Sequence, residues 1–75
     1  MTKFPSLKPR QVEKILLKNG FVIKRQSGSH RTYHNPTTEA VTVVSFHSID
    51  IPAGTLRSII KQSRLNESLF LKGKR

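Results

Sequence analysis

The sequence predicts an α+β fold in the order α-β-β-β-α: a three-stranded antiparallel sheet with helices on one face. Three observations predict it. Near each end of the chain, apolar residues recur at i, i+3 and i+4, the spacing of one helix face. Between those segments lie three short runs rich in β-branched and aromatic residues, separated by turn signals. Finally, 75 residues suit a single domain, 1–75, with a thin core, because a chain this short buries only roughly 60% of the surface it exposes when unfolded.

Residues 1–8 are expected to form a short arm carrying Pro5 and Lys8. Pro9 suits the first turn of a helix, where its missing N–H costs nothing. Val12, Ile15 and Leu16 then make the first apolar stripe, and Asn19-Gly20 closes the helix, with Gly20 as the left-handed cap. Phe21 follows where such a cap often places an apolar contact. Arg10, Lys14 and Lys18 repeat every four residues on another face, which is either solvated or phosphate-contacting. Residues 21–26 read as a strand, Ser27-Gly28-Ser29 as a tight turn, and residues 30–34 as a second strand. After the turn Asn35-Pro36-Thr37-Thr38, the run from Ala40 to Phe46 is the strongest strand signal in the chain. Short turns between the three runs imply an antiparallel meander. Residues 47–50 are a loop, with Asp50 a candidate N-cap and Pro52 close inside the helix start. Leu56, Ile59 and Ile60 form the second stripe, while Arg57, Lys61 and Arg64 take another face. Asn66 is suited to cap a last turn carrying Leu69 and Phe70, and the tail Lys72-Gly73-Lys74-Arg75 is expected to be mobile. With both helices on one side, the other sheet face is left open.

Charge narrows the function. Fourteen Lys and Arg against four Asp and Glu give a net charge of +10, a field that attracts polyanions and speeds their encounter. Nucleic acid, an acidic protein and an anionic membrane surface are the candidate partners. The absence of cysteine excludes disulfides and thiolate metal sites and suits a reducing, cytoplasmic location. The first residues carry no apolar run of a signal peptide, and no stretch approaches the ~18 apolar residues of a membrane helix, so no membrane partner is expected. No phosphate-binding loop, dinucleotide fingerprint or serine elbow occurs. The four acids, Glu13, Glu39, Asp50 and Glu67, are scattered, and no His-x-x-x-His lies on a helix. His30 and His34 can share one sheet face, but a metal would need a third ligand such as His47. No metal and no cofactor are therefore expected.

His30 has the most suggestive setting. It follows Gly28-Ser29 at a turn-to-strand junction, with Lys24, Arg25 and Arg31 along the same hairpin. Imidazole is the side chain that can accept or donate a proton near neutrality. Neighbouring cations can hold a phosphodiester and stabilise charge growing on it. Gly28 removes a side chain where a backbone has to approach. Metal-free RNA cleavage needs this set: a base takes the proton of a ribose 2′-OH, which attacks the adjacent phosphorus. The same residues also fit a polar hairpin with no chemical role.

Lys8-Pro9 opening a helix, Lys18-Asn19-Gly20-Phe21, Gly28-Ser29-His30, Phe46-His47, Gly54-Thr55-Leu56 and Ile59-Ile60-Lys61-Gln62 occur in this order. In that order and at these spacings, over roughly residues 8–65, the chain resembles the HicA toxin family. The resemblance implies a small mRNA interferase with a double-stranded-RNA-binding-domain-like fold, which cuts mRNA without the ribosome and is covered by a HicB-like protein antitoxin. It implies that His30 is catalytic, supported by Gly28 and Ser29, with His47 as a further supporting residue or a loop anchor. Lys24, Arg25 and Arg31 are then the RNA-binding set. Two positions depart from the family pattern. Ser45 stands where proline is frequent, so the third strand is expected to end differently. Ser63-Arg64 replaces Ala-Gly, so the exit from the second long helix is expected to differ.

Two other functions fit the fold. A non-catalytic double-stranded-RNA-binding module shares the element order, but it grips phosphates with lysines opening its last helix. Here that stretch is Ile51-Pro52-Ala53-Gly54-Thr55, without a cation. For a DNA-binding regulator no helix-turn-helix is visible, and the sheet is the expected functional surface.

Overall fold

The structure is a computed structural model that describes residues 6–47 and 49–72. The expected arm up to Pro5, loop residue Ser48 and the tail from Gly73 lie outside the described residues. The elements are α1 (Pro9–Lys18), β1 (Val22–Ser27), β2 (His30–His34), β3 (Val41–Ser45), α2 (Ala53–Ser63) and α3 (Glu67–Lys72). The strands form one antiparallel sheet in the order β1-β2-β3. This is the expected α+β arrangement, with the short α3 added after α2. Both long helices cover the same sheet face. Tyr33 of β2 reaches Glu13 on α1, and its cross-strand partner Thr42 reaches Gln62 on α2 at 2.8 Å.

Each element begins and ends for a local reason. Gln11 accepts from the Lys8 backbone N–H at 2.8 Å, satisfying one donor at the start of α1. Leu7, just outside the cap, and Val12, one turn in, are both fully buried, as a hydrophobic staple requires. At the other end Gly20 has φ +93°, and the Phe21 N–H donates to the Leu16 carbonyl at 3.1 Å. That closure buries the Phe21 ring, so β1 starts at Val22 rather than at Phe21. Ser27 pairs with His30, which leaves Gly28-Ser29 as a two-residue turn. Gly28 alone of the two has a positive φ (+60°), the pattern of a type II′ turn. A Cβ there would meet nothing within 4 Å, so it is the backbone angle, not crowding by the protein, that requires glycine.

The second helix departs from expectation. Asp50 does not cap it: α2 starts at Ala53, and Pro52 occupies the cap position in an extended conformation with no side-chain cap. Two constraints hold the preceding backbone extended. A residue before proline is disfavoured in the helical region, and Ile51 is bridged to Leu7, its N–H donating to the Leu7 carbonyl at 2.8 Å. Asp50 instead lies 3.4 Å from Lys8 in an exposed ion pair. At the exit of α2, Arg64 adopts the left-handed conformation (φ +61°) usually left to glycine. Its guanidinium donates to the Thr38 carbonyl at 2.9 Å, which ties the helix end to the turn before β3. Asn66 caps α3 as expected, accepting from the Ser68 N–H at 2.8 Å.

The stripes Val12-Ile15-Leu16 and Leu56-Ile59-Ile60 meet Tyr33 and Val44 in one core. A partly buried carboxylate, Glu13, lies at the border of this core, between α1 and the sheet. Glu13 Oε2 accepts from Arg31 Nη1 and from the Tyr33 hydroxyl, each at 2.6 Å. Arg31 also lies over the Phe46 ring, 4.4 Å from its centroid. Burial pushes the Glu13 carboxyl up, but the hydrogen bonds from Tyr33 and Arg31 and the charges of Arg31 and Arg10 outweigh it, so it sits below its ordinary value. Burial and the bond to Glu13 push the Tyr33 hydroxyl well above the tyrosine range.

These two shifts bound a pH window. The folded Glu13 holds its proton less tightly than the unfolded one, so its contribution is complete above 4.5 and drains away as pH falls through the lowered folded value. Tyr33 holds its proton more tightly when folded, so stability is complete below 10.0 and declines as pH rises beyond it. Denaturant melts from pH 3 to 11 are expected to show a plateau between those limits. Glu13→Ala is expected to cost about 2–3 kcal/mol on the plateau, because Arg31 and Tyr33 lose a shared partner. It should also flatten the acid limb. An acid limb unchanged in the variant would remove Glu13 from the account.

Candidate active site on the open sheet face

Strand alternation divides β2 between two faces. Arg31 and Tyr33 turn toward α1, so His30, Thr32 and His34 turn to the face without helices. Cross-strand register extends this into three rows: Ser27–His30–Ser45, Arg25–Thr32–Val43 and Val22–His34–Val41. His30 heads the central strand, exposed, directly after the Gly28-Ser29 turn. Among the described residues, none hydrogen-bonds its ring.

Arg25 reaches this face because β1 is irregular. Ile23 pairs with Tyr33, but Arg25, not Lys24, pairs with Thr32, so one extra residue is accommodated between them. In a regular ladder Lys24 would oppose Thr32 and Arg25 would oppose Arg31 on the helix side. The bulge therefore moves Arg25 into the row next to His30.

Arg31 is not brought to that group. It neighbours His30 in sequence but lies on the opposite face, and Glu13 matches its charge. The three hairpin cations thus separate into Lys24 and Arg25 on β1 and Arg31 behind the sheet. The bond to Glu13, partly opposed by burial, raises the Arg31 pKa further, so the pair remains ionic.

Ser45 ends β3 opposite His30, and its Oγ accepts the His47 backbone N–H at 3.3 Å. The strand therefore runs through the position where the family pattern favours proline, and His47 is held at the His30 end of the sheet through its backbone. Ser29 is drawn to the same end, its carbonyl accepting the Phe46 N–H at 2.6 Å. His34 shares the open face with His30 but is engaged elsewhere, its Nε2 3.1 Å from Glu39. Among the described residues, no three His, Cys, Asp or Glu side chains group to hold a metal.

The basic helix stripes lie on the other side of the molecule. Arg10, Lys14 and Lys18 are exposed on α1. Arg57, Lys61 and Arg64 line an open groove of about 490 Å³ beside the α2–α3 junction. No described helix is long and apolar enough to cross a membrane.

Sequence reasoning missed Glu13 and Phe46 as supports of this end of the sheet. A signal for Glu13 existed: it lies four residues after Pro9 and three before Leu16, both buried, and so borders the apolar stripe. Nothing in the local sequence announces the bulge at Lys24.

Residues 9–65 match the family described as the HicA toxin of bacterial toxin–antitoxin systems. No individual curated protein matches the chain. The family match runs from the first residue of α1 to just beyond α2 and so contains all three strands and the His30 face. The chain belongs to the HicA toxin family, the endoribonuclease toxins that target mRNA in type II toxin–antitoxin systems.

Proposed function

We propose that this toxin cuts mRNA on the open sheet face through His30, without a metal or cofactor, in the cytoplasm, as a single domain held in check by a HicB-like antitoxin. The observation that carries this reading is the pairing of an exposed imidazole at the head of β2 with Arg25, which the bulge turns to the same face. In the proposed reaction His30 takes the proton of a ribose 2′-OH. The freed oxygen attacks the adjacent phosphorus, and the bond to the 5′ oxygen of the next nucleotide breaks, that oxygen taking a proton from solvent to become a 5′-hydroxyl and leaving a 2′,3′-cyclic phosphate. Lys24 and Arg25 hold the phosphodiester and offset charge growing on its oxygens. The open space at Gly28 admits an RNA backbone beside the turn. Ser29 and His47 support the site through the backbone bonds that hold this end of the sheet. The antitoxin covers the same face.

Purified His30→Ala should fold normally, with a stability change within about 1 kcal/mol, because the side chain is exposed. Its cleavage of a labelled RNA should fall by at least 10²–10⁴-fold, the usual worth of general acid–base help. RNA binding should persist, and wild-type activity should be unchanged in EDTA. A folded variant that cleaves at the wild-type rate would exclude His30 from the chemistry and make His34 and His47 the next candidates for the proton-transfer group.

Affinity measured against salt locates the cations that grip phosphate. Removing one such side chain should flatten the slope of log affinity against log salt by about 0.7 for a single strand. The double variant Lys24→Ala/Arg25→Ala is expected to lose more slope than Arg10→Ala/Lys14→Ala. The reverse order would move the RNA to the helical side.

A further inference from the structure

The sheet has two edge strands, and they differ. β1 carries the devices that blunt an edge against further pairing: a bulge and two cations, Lys24 and Arg25. β3 carries none of them. Its five residues, Val41-Thr42-Val43-Val44-Ser45, include no charge, no proline and no register shift. The β2–β3 ladder also shows which of its backbone groups are free. The Asn35 N–H donates to the Ala40 carbonyl at one end, and the Phe46 N–H donates to the Ser29 carbonyl at the other. Hydrogen-bonded pairs alternate along an antiparallel ladder, so Thr42 and Val44 also bond inward to β2. Val41, Val43 and Ser45 therefore aim their N–H and C=O groups outward. Among the described residues no partner meets these groups.

The side chains of the same residues face the open side. Val41 is 44% and Val43 is 43% exposed, although β-branched residues of this kind are usually covered in a sheet. Beyond Ser45 the edge runs into a largely apolar hollow of about 170 Å³ lined by Ser45, Ile51, Pro52, Thr55 and Ile59. An extended peptide has the pattern that fits: main-chain groups for the edge, alternate side chains over the valines, and an apolar residue for the hollow.

From the open β3 edge, its exposed valines and the hollow at its end, we infer that β3 is a strand-addition site for an extended, acidic segment of the antitoxin. The inference rests on the toxin–antitoxin reading above and adds where and how the partner binds. Acidity follows from charge. The chain is +10, and Arg64 at the end of α2, the helix packed beside β3, is anchored at the entry to β3. A second copy of the chain would bring two +10 molecules edge to edge, which disfavours a homodimer. RNA lacks the alternating donors and acceptors of a strand. The site also bears on activity. An added strand would lie two strand spacings, roughly 10 Å, from β2, with one end beside Ser45, the cross-strand partner of His30.

Amide hydrogen exchange tests this directly. The ¹⁵N-labelled chain is measured alone, with the protein encoded by the neighbouring reading frame, and with a short single-stranded RNA. In the protein complex the amides of Val41, Val43 and Ser45 should slow by about 100-fold or more, while in the free chain they exchange fast. Val43→Pro removes one outward donor and no bond to β2, as proline does at a sheet edge. It should weaken the complex by about 10-fold or more, in keeping with the worth of a hydrogen bond and its disturbed neighbours. A complex that forms with these three amides still fast would overturn the strand-addition inference alone. Failure to form any complex would overturn the antitoxin reading and the inference with it. Protection that grows with the chain's own concentration, or that appears with RNA instead of the protein, would overturn the inference by assigning the edge to a second copy or to substrate.

Discussion

Glu13 accepts two hydrogen bonds on one oxygen, from Arg31 and Tyr33, and the orientation of β2 depends on that double acceptance. A chain with net charge +10 repels itself when compact. A carboxylate in the seam between helix and sheet offsets part of that repulsion, and two short bonds offset its own desolvation. It also sets the phase of the strand. A slip of one residue would turn Arg31 and Tyr33 away from Glu13 and His30 into the seam. The exposed position of His30 and the buried position of Tyr33 are thus one constraint seen from two faces.

Arg31 and Phe46 extend the constraint to the end of the sheet. The guanidinium bridges α1 and the ring that follows β3, while the Phe46 N–H holds Ser29. The turn carrying Gly28-Ser29 and the head of β2 are therefore fixed from the helix side, while His30 stays exposed on the other. Rigid support behind and an open face in front is the arrangement a positioned proton-transfer group needs.

The two edges of the sheet divide the remaining tasks. On β1 the bulge at Lys24 prevents further pairing and delivers Arg25 to the open face. On β3 the ladder stays regular through Ser45, leaving both outward backbone groups and valine side chains uncovered. On the proposed reading this face admits a polyanion and so is not packed under a helix, and the small fold forgoes some burial there.

Element order is legible from the residues alone, because helix stripes and strand runs are local patterns set by periods of 3.6 and 2. Val12, Ile15, Leu16, Leu56, Ile59 and Ile60 were legible as core, and Gly20, Gly28 and Asn66 as turn and cap residues, since each acts within a few residues of itself. The resemblance to a toxin family was equally legible, because it rests on residue order. Other features were decided only in three dimensions. Arg31 stands beside His30 in the chain, yet alternation sends it to the opposite face, where Glu13 waits on another element. Asp50 looked like a helix cap until the Leu7–Ile51 bridge held that stretch extended. Arg25 joined the open face through a bulge that only pairing with β2 reveals. In each case the deciding partner lies far away in sequence, and a local pattern carries no information about which distant group will compete for a side chain or shift a register.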